Sequence, residues 1–210
     1  MKKVLFYAGV IALTAALAGC KKNEESSSTT ITVVKIGGVT WAAANVDDYQ
    51  TFAAKPDMYT KFYQWNRSKA WAATGSVSGW NSTADQSATW TANPCPAGWR
   101  LPTNAEFAAL NNAGSSWAAA NAKGNAVAGR FYGGNHATAT MSNLAGCVFL
   151  PAVGGRDISN GALLYQGVSG NYWSSTQYTS TIGYNFTFSN AESMPNAYYK
   201  EAGLPIRCVQ

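Results

Sequence analysis

Residues 93–106 of this 210-residue chain read NPCPAGWRLPTNAE and carry its clearest structural signal. Two prolines and a glycine predict a tight bend, because proline presets the backbone and glycine frees it where a turn needs it. Thr103 and Glu106 then match the Thr-x-x-Glu capping box, in which each side chain bonds the backbone N–H of the other residue. We therefore predict a helix from Asn104 to Asn112, directly after the bend.

The segments around this helix predict short strands and loops. Stretch 66–93 contains Gly, Ser and several Trp residues and is predicted to be a loop anchored by its tryptophans. An alanine-rich run from Trp117 to Ala122 predicts a second, shorter helix. Helices early in the chain followed by many short antiparallel strands favour the α+β class. The predicted strands are 31–36 and 39–41, which form a hairpin, and 61–65, 147–150, 172–175, 184–188 and 204–209.

The first 30 residues predict export and membrane attachment. A basic start is followed by an apolar run at 4–16, which is short for a transmembrane helix. The run ends in LAGC at 17–20, which resembles the lipobox, where a bacterial signal peptide is cleaved before a cysteine that is then lipidated. A plain secretory signal or a membrane anchor are the alternatives. The expected organisation is a signal peptide at 1–19, a lipidated Cys20 with a flexible tether at 20–30, and a single domain at 31–210.

A lipid on Cys20 would hold the domain at a bacterial outer membrane. The string KKNEE at 21–25 loosely resembles an export signal of surface lipoproteins in the Bacteroides group, so we expect the cell surface, with a periplasm-facing anchor as the alternative. Without Lys2 and Lys3 the formal charge falls from +5 to +3, and the remaining charges are scattered. Nucleic-acid binding needs a concentrated positive face, so we expect no nucleic-acid partner.

Cysteine usage fits an exported protein. Besides Cys20 the chain has Cys95, Cys147 and Cys208, which allow three pairings that each leave one thiol free. An oxidising compartment favours a disulfide, and we favour Cys95 with Cys208 because both lie in turn-like or terminal contexts. Cys147 lies in an apolar run and is predicted to be a buried thiol. No cysteine spacing matches a zinc site, so we expect no metal and no cofactor.

Residues 157–200 have the composition of a contact surface. Of these 44 residues, 22 are Asn, Ser, Thr or Tyr, and only Asp157, Glu192 and Lys200 carry charge. Tyrosine supplies rigid contact area, and serine and asparagine supply adaptable hydrogen bonds, as in antibody-type binding surfaces. The alternative is a tyrosine-rich β-meander with a solvated face, and composition alone does not separate the two.

Six short motifs follow one another along the chain. The most specific are PCPAGWRLPT at 94–103 and YWSST at 172–176, and the others are KIGGVTW at 35–41, FYQW at 62–65, FLPA at 149–152 and IRCV at 206–209. In this order they resemble the Fibrobacter succinogenes major paralogous domain family. The resemblance implies a C-type-lectin-like fold of the formylglycine-generating-enzyme type, found mostly in exported surface proteins.

An enzyme is a weaker interpretation of the same resemblance. Formylglycine-generating enzymes need a closely spaced pair of active-site cysteines, whereas Cys147 and Cys208 are far apart in sequence. A serine hydrolase needs a positioned base, and His136 is the only histidine. Calcium-binding lectins of this fold use a carboxylate that the string MPN at 194–196 lacks. We therefore expect a protein that is not an enzyme, with a divergent relative of the formylglycine enzyme as an alternative.

The chain also resembles the variable lipoproteins of diversity-generating retroelements. In those proteins the C-terminal part of the fold is mutagenised at template adenines, which changes Asn and Tyr codons. Residues 157–199 suit such a segment, with 173–176 and 207–209 as fixed framework. We expect this segment to bind a protein or glycan on another surface, the alternative being a structural or adhesin subunit of a surface assembly.

We expect the contact residues to cluster on one exposed surface of the domain. Trp99, Phe149, Leu150 and Trp173 are instead predicted to lie in the core. The predicted ligand-binding residues are Asn160, Tyr165, Ser169, Asn171, Tyr178, Thr179, Asn185, Thr187 and Asn190.

Overall fold

A computed structural model describes residues 33–210. The predicted signal peptide, the lipidated Cys20 and the tether lie outside the described residues. Within 33–210 the chain forms one helix and eleven short strands. These are β1 (Val34–Ile36), β2 (Val39–Asn45), α1 (Asn104–Asn112), β3 (Ser115–Ala118), β4 (Gly129–Tyr132), β5 (Val148–Pro151), β6 (Gly155–Arg156), β7 (Leu163–Leu164), β8 (Gly170–Gln177), β9 (Ile182–Phe188), β10 (Ser193–Tyr199) and β11 (Arg207–Val209).

The strands form small antiparallel sheets. Their orders are β1-β2-β11, β3-β4-β5 and β10-β9-β8, with β6 and β7 as a separate pair. Because β2 pairs with β11, the first and last parts of the described chain lie side by side. One short helix with mostly antiparallel strands is an α+β arrangement, as predicted.

The predicted helix α1 is present with the predicted bounds and cap. Thr103 Oγ1 accepts from the backbone N–H of Glu106 at 3.2 Å, and the Glu106 carboxylate accepts from the backbone N–H of Thr103 at 2.7 Å. The helix buries Phe107 and Leu110, which pack against the β8–β9–β10 sheet and β2. The bend before the helix thus fixes how α1 enters the core.

A disulfide ties this bend to the last strand. Cys95 and Cys208, the pair favoured from the sequence, are bonded with their Cα atoms 6.0 Å apart. Both lie in a core cluster around Trp65 and Trp173. Of the other predicted core residues, Phe149 and Leu150 are buried like Trp173, whereas Trp99 is only partly buried and packs edge-on against Phe52.

The predicted second helix at 117–122 is wrong. Trp117 and Ala118 belong to β3 and pair with β4, and the chain then turns, with Asn121 at a φ of 63°. Alanine favours a helix by less than about 1 kcal/mol per residue, and a run this short cannot nucleate alone. Strand pairing and the packing of Trp117 against the main core outweigh that preference.

Most of the predicted strands are present. The hairpin and the strands at 147–150, 172–175 and 184–188 correspond to β1–β2, β5, β8 and β9, and 204–209 narrows to β11. The predicted strand at 61–65 is reduced to isolated bridges, Phe62 with Trp71 and Tyr63 with Leu204. Five strands were not predicted, namely β3, β4, β6, β7 and β10, and the last contains Pro195, which is tolerated in a sheet only at an edge. Among the described residues no helix is long and apolar enough to cross a membrane.

Candidate functional site

The β8–β9–β10 sheet has a buried face and a polar face. Tyr172, Phe186 and Phe188 lie in the main core, and Phe186 stacks on Phe107 of α1 with ring centroids 5.0 Å apart. Side chains alternate between the two faces along each strand, and directly paired residues share a face. The side away from α1 carries Trp173, which is buried in the cluster around Trp65, and a set of mostly polar side chains. We define this set as the polar face: Asn171, Asn185, Thr187, Met194, Asn196 and Tyr198.

Two buried cationic side chains donate hydrogen bonds to the turns at the two ends of this sheet. Lys200 Nζ donates to the carbonyl oxygen of Ser180 in the β8–β9 turn at 3.1 Å. At the opposite end Arg130 donates to the carbonyl oxygens of Ser189 at 2.7 Å and Asn190 at 3.2 Å, in the β9–β10 turn. Hydrogen bonds from a charged donor are stronger than neutral ones. The sheet is therefore a firm frame for the side chains on its polar face.

The free edge of β10 is protected against pairing with another strand. Alternate residues of β10, among them Pro195, Ala197 and Tyr199, direct their backbone groups away from β9. Pro195 has no N–H, the N–H of Ala197 donates to Asn196 Oδ1 at 2.8 Å, and the carbonyl of Tyr199 accepts from Ala202 at 3.0 Å. Pro195 and Asn196 thus remove two of the four backbone donors that this edge could offer to another strand, which weakens strand addition.

A pocket of about 100 Å³ opens beside the polar face, between β10 and the segment 163–169. A Cβ atom on Gly154 would lie 2.1 Å from the carbonyl oxygen of Leu164, so the close approach of this segment requires glycine. The pocket combines apolar side chains, two tyrosines and one amide. Its lining residues are Gly155, Arg156, Leu164, Tyr165, Asn171, Tyr198 and Leu204.

Tyr165 stands at the mouth of this pocket in an unusual backbone conformation. Its φ is 57°, and its side chain is 67% exposed. Its carbonyl oxygen accepts from the N–H groups of Val168 and Ser169, each at 3.0 Å, which closes the turn. A left-handed conformation costs an ordinary residue about 1–2 kcal/mol, and such residues concentrate at functional sites. The turn therefore presents a tyrosine ring where glycine would fold more easily.

The pocket offers no free charge to a ligand. The Arg156 guanidinium is buried, and it donates to the carbonyl oxygens of Ala72, Thr74, Gly75 and Gly161. Burial lowers the pKa of Arg156, but its donors are occupied by these loops. The pKa of Tyr198 is raised, first by burial and then by the nearby carboxylate of Asp157, so its phenol is neutral and keeps its proton.

Two asparagines at the polar face have unused hydrogen-bonding capacity. Asn171 donates to Ser169 Oγ at 3.4 Å and accepts from Asn185 Nδ2 at 3.5 Å. Both distances exceed the usual N–H···O range of about 2.7–3.2 Å. Asn185 is 1% exposed, and its Oδ1 has no hydrogen-bond partner among the described residues. A buried amide oxygen left unpaired costs about 1–3 kcal/mol, and of the two asparagines it is Asn171 that lines the neighbouring pocket and is open to a ligand.

The structure brings together five of the nine predicted contact residues. Tyr165 and Asn171 line the pocket, and Ser169 bonds Asn171. Asn185 and Thr187 share the polar face. The expectation that Asn185 is exposed is wrong, since β9 is the central strand and Trp173 and Asn196 flank it on the neighbouring strands.

The other four predicted residues lie elsewhere, so the nine do not form one surface. Tyr178 and Thr179 are at the β8–β9 turn, where Tyr178 packs edge-on against Tyr184 with centroids 5.1 Å apart. Asn190 lies in the opposite turn, separated from them by the length of β9, about 20 Å at roughly 3.3 Å per residue. Asn160 lines a neighbouring cavity of about 420 Å³ together with the loop at 75–77.

Three polar-face residues, all on β10, were missed from the sequence. Met194, Asn196 and Tyr198 are alternate residues of β10, which was not predicted as a strand because it contains Pro195. Their period of two was visible and is the signal of one shared face. Leu164 and Leu204 could not be found in this way, because only the folded chain brings them together.

A larger cleft of about 470 Å³ lies between residues 64–71 and the loop at 79–81. It contains none of the predicted contact residues. Its tryptophan, Trp71, is 4% exposed, and Lys69 Nζ lies 3.7 Å from the ring centroid. The ring is therefore covered, and this cleft offers a ligand little aromatic surface.

Among the described residues, the cysteines and acidic side chains form no cluster that would suggest a reactive thiol or a metal site. Cys147 is a buried free thiol that donates to the carbonyl oxygen of Gly133 at 3.0 Å, and burial raises its pKa. A reactive cysteine needs the opposite shift and solvent access. Within residues 33–210 no three His, Cys, Asp or Glu side chains gather so that they could hold a metal ion.

One known protein family matches almost the whole chain. The family model of the Fibrobacter succinogenes major domain matches residues 22–210. The chain belongs to this family. In this Fibrobacter succinogenes major domain, the motif at 94–103 forms the bend before α1 and contains the disulfide cysteine Cys95. The motif at 172–176 lies in β8, within the sheet that carries the polar face. No curated protein and no solved structure matches the chain.

Proposed function

We propose that this chain is a lipid-anchored, exported binding protein that uses the polar face and its pocket to hold a protein or glycan ligand. The observation that carries the proposal is the pocket beside the polar face, which offers no free charge and is lined by a strained, exposed Tyr165 and a weakly paired Asn171. Tyrosine with small polar partners is typical of binding surfaces. A concave site with a few convergent polar groups is the usual form of a ligand pocket.

The proposed fold is C-type-lectin-like, of the formylglycine-generating-enzyme type. The pairing of the first strands with the last strand, the single helix behind the C-terminal sheet and the disulfide between bend and terminus support it. An experimental structure that superposes on an unrelated fold would contradict it.

The proposed anchor is a lipid on Cys20, which holds the domain at the outer membrane with the polar face available to a partner on another surface. Labelled palmitate should be incorporated into the full chain and not into a Cys20→Ser variant. Digestion of intact cells by added protease should then separate display on the cell surface from attachment facing the periplasm. An unlabelled wild-type chain would rule out the lipid.

Diversification by a retroelement is the proposed origin of the contact residues. It predicts adenine-rich Asn and Tyr codons at the polar face and in the segment 163–169. It also predicts a near-copy of that coding segment beside a reverse-transcriptase gene. Absence of such a copy from the genome would contradict this part of the proposal without touching the binding site.

Binding is tested with purified full chain on printed arrays of glycans and of bacterial and host surface proteins. We expect the wild type to bind a restricted set of spots, and a Tyr165→Ala, Tyr198→Ala double variant to lose them. Tyr178→Ala is the matched control, because the exposure of Tyr178, 57%, lies between those of Tyr198 and Tyr165, 38% and 67%, and it lies at the turn. Spots that all three proteins bind equally, or no bound spot, would refute the proposed site.

A further inference from the structure

The pocket beside the polar face is the size of one small substituent. Its volume of about 100 Å³ is two thirds of that of a cavity of about 150 Å³ that holds benzene. It can therefore enclose a group of about four non-hydrogen atoms, while the rest of the ligand lies outside against the polar face. A complete sugar ring or a large aromatic side chain does not fit inside.

Charged groups are disfavoured in this pocket. The Arg156 donors are already taken by loop carbonyls, as described above. The carboxylate of Asp157 accepts from the N–H of Ser159 at 2.8 Å and from its hydroxyl. Asp157 is not a lining residue, so a ligand ion inside the pocket would lose part of its hydration and meet no free counter-charge among the residues that line it. The guest is therefore neutral.

The lining divides into an apolar part and an amide part. Leu164 and Leu204 line the pocket and give it an apolar wall that suits a methyl group. Asn171 contributes an amide whose two hydrogen bonds are long, and it contacts Asn185 with its unpaired Oδ1. A guest that carries a methyl group and an N–H plus C=O pair complements both parts. That combination is an acetamido group.

The surroundings of the pocket suit a sugar ring. Tyr165 and Tyr198 flank the opening and are exposed, so a ring can lie against aromatic surface. Thr187 and Asn196 on the polar face offer uncharged hydrogen-bonding groups to hydroxyls. A protein partner would instead call for an anchor pocket deep enough for a Trp, Tyr or Arg side chain, which this volume does not provide.

We infer that the pocket holds the acetamido group of an N-acetylated amino sugar in a neutral glycan. The inference rests on the proposed function and specifies the ligand class of the same site. In this arrangement the acetyl methyl group contacts Leu164 and Leu204, and the amide exchanges hydrogen bonds with Asn171. The sugar ring lies between Tyr165 and Tyr198.

The test is isothermal titration of the full chain with tri-N-acetylchitotriose and with cellotriose, which has the same linkage without acetamido groups. We expect the acetylated sugar to bind at least about tenfold more tightly, the effect of one well-paired amide. Leu164→Phe, which fills the pocket, and Asn171→Leu, which removes the amide, should each reduce its affinity by about tenfold or more. Thr179→Ala, at the distant turn, should bind like the wild type.

Thermal unfolding of each variant shows whether it is folded. Asn171→Leu replaces a partly exposed side chain and should fold, so it tests the pocket even if Leu164→Phe does not fold. Equal affinity for the two sugars, no binding of either, or full affinity in Asn171→Leu would overturn the inference. If the arrays yield a protein ligand that depends on Tyr165 and Tyr198 while neither sugar binds, the acetamido inference falls and the binding function stands. If neither arrays nor sugars bind, both fall.

Discussion

Individual residues at the site carry costs that folding alone does not explain. Tyr165 occupies a left-handed conformation, and Asn185 is buried with an unpaired oxygen. Elsewhere in the described chain the buried cations Lys200 and Arg207 are well supplied with carbonyl and amide acceptors. Among residues 33–210, four other non-glycine residues have a positive φ and six other buried side-chain atoms are unpaired. The site is marked by the occurrence of both costs side by side, as expected where a ligand completes the side chains.

Replacement of Tyr165 by glycine should separate folding from binding. The change stabilises the folded state by relieving about 1–2 kcal/mol of backbone strain. It also stabilises the unfolded state by about 0.5–1 kcal/mol, because glycine has more conformational freedom there. The two effects oppose each other, so the free energy of unfolding should stay within about 1 kcal/mol of the wild type. Ligand binding should fall about tenfold or more, because the ring is lost. Urea unfolding and the array assay measure the two effects. A large loss of stability would show that Tyr165 is a structural residue.

Glu106 should make α1 sensitive to acid. Its pKa is lowered, chiefly by the hydrogen bond from Arg100, so its folded pKa lies below its unfolded value. The stabilisation is therefore present above about pH 4.3 and is lost as the pH falls through the folded pKa. Glu106→Gln should destabilise the protein by about 0.5–1 kcal/mol at neutral pH, since half of the Arg100 side chain is exposed and screened.

Unfolding of wild type and Glu106→Gln by urea at about pH 7 and about pH 3 tests this prediction. The difference between the two proteins should shrink in acid. A constant difference at both pH values would mean that the carboxylate charge does not contribute.

At the scale of elements, β10 is the decisive strand. It supplies half of the polar face and one wall of the pocket, and it is also the free edge of its sheet. A seven-residue strand with no charged side chain is an aggregation hazard. Pro195 and the Asn196 side chain remove two backbone donors from that edge, which weakens pairing with another chain while Met194 and Tyr198 stay exposed.

A Pro195→Thr, Asn196→Ala double variant should restore those two donors. We expect concentration-dependent self-association in sedimentation velocity experiments, whereas the wild type and Ser193→Thr stay monodisperse. Fold stability should change little, because the backbone of Pro195 faces away from β9. A double variant that sediments like the wild type would show that another feature protects the edge.

At the scale of the whole molecule, the disulfide connects the region that decides the fold to the C-terminal strand. Cys95 and Cys208 are 113 residues apart, and β11 pairs with β2 beside them. A cross-link over so long a loop restricts the unfolded chain strongly, and such bonds contribute about 2–5 kcal/mol. The bond therefore stabilises the domain from the bend before α1 to the end of the chain.

Loss of this disulfide should lower the free energy of unfolding by about 2–5 kcal/mol. Reduction of the wild type by dithiothreitol and a Cys95→Ser, Cys208→Ser variant should give similar denaturation midpoints. Cys147→Ala keeps the bond and is the control that should still respond to reductant. A wild type whose midpoint is unchanged by the reductant would contradict the role of the bond.

The sequence allowed some of these features to be predicted and not others. Helix α1 was predictable because its cap is local, encoded by Thr103 and Glu106. The pentapeptide WAAAN shows the opposite case: at 41–45 it lies within β2, and at 117–121 it leaves β3 for a turn, so neighbouring strands decide its structure. The polar face was partly predictable from its period of two. The burial of Asn185 and the pocket walls depend on long-range contacts that no local pattern records.

The central claim is that a ligand binds the pocket and the polar face together. Amide hydrogen exchange of the full chain, measured by mass spectrometry with and without the ligand identified on the arrays, tests it most directly. We predict slower exchange in residues 163–171 and 193–199, and no change in the β8–β9 turn at 178–181. Protection confined to that turn or to the loop at 66–93, or no protection anywhere, would contradict the account.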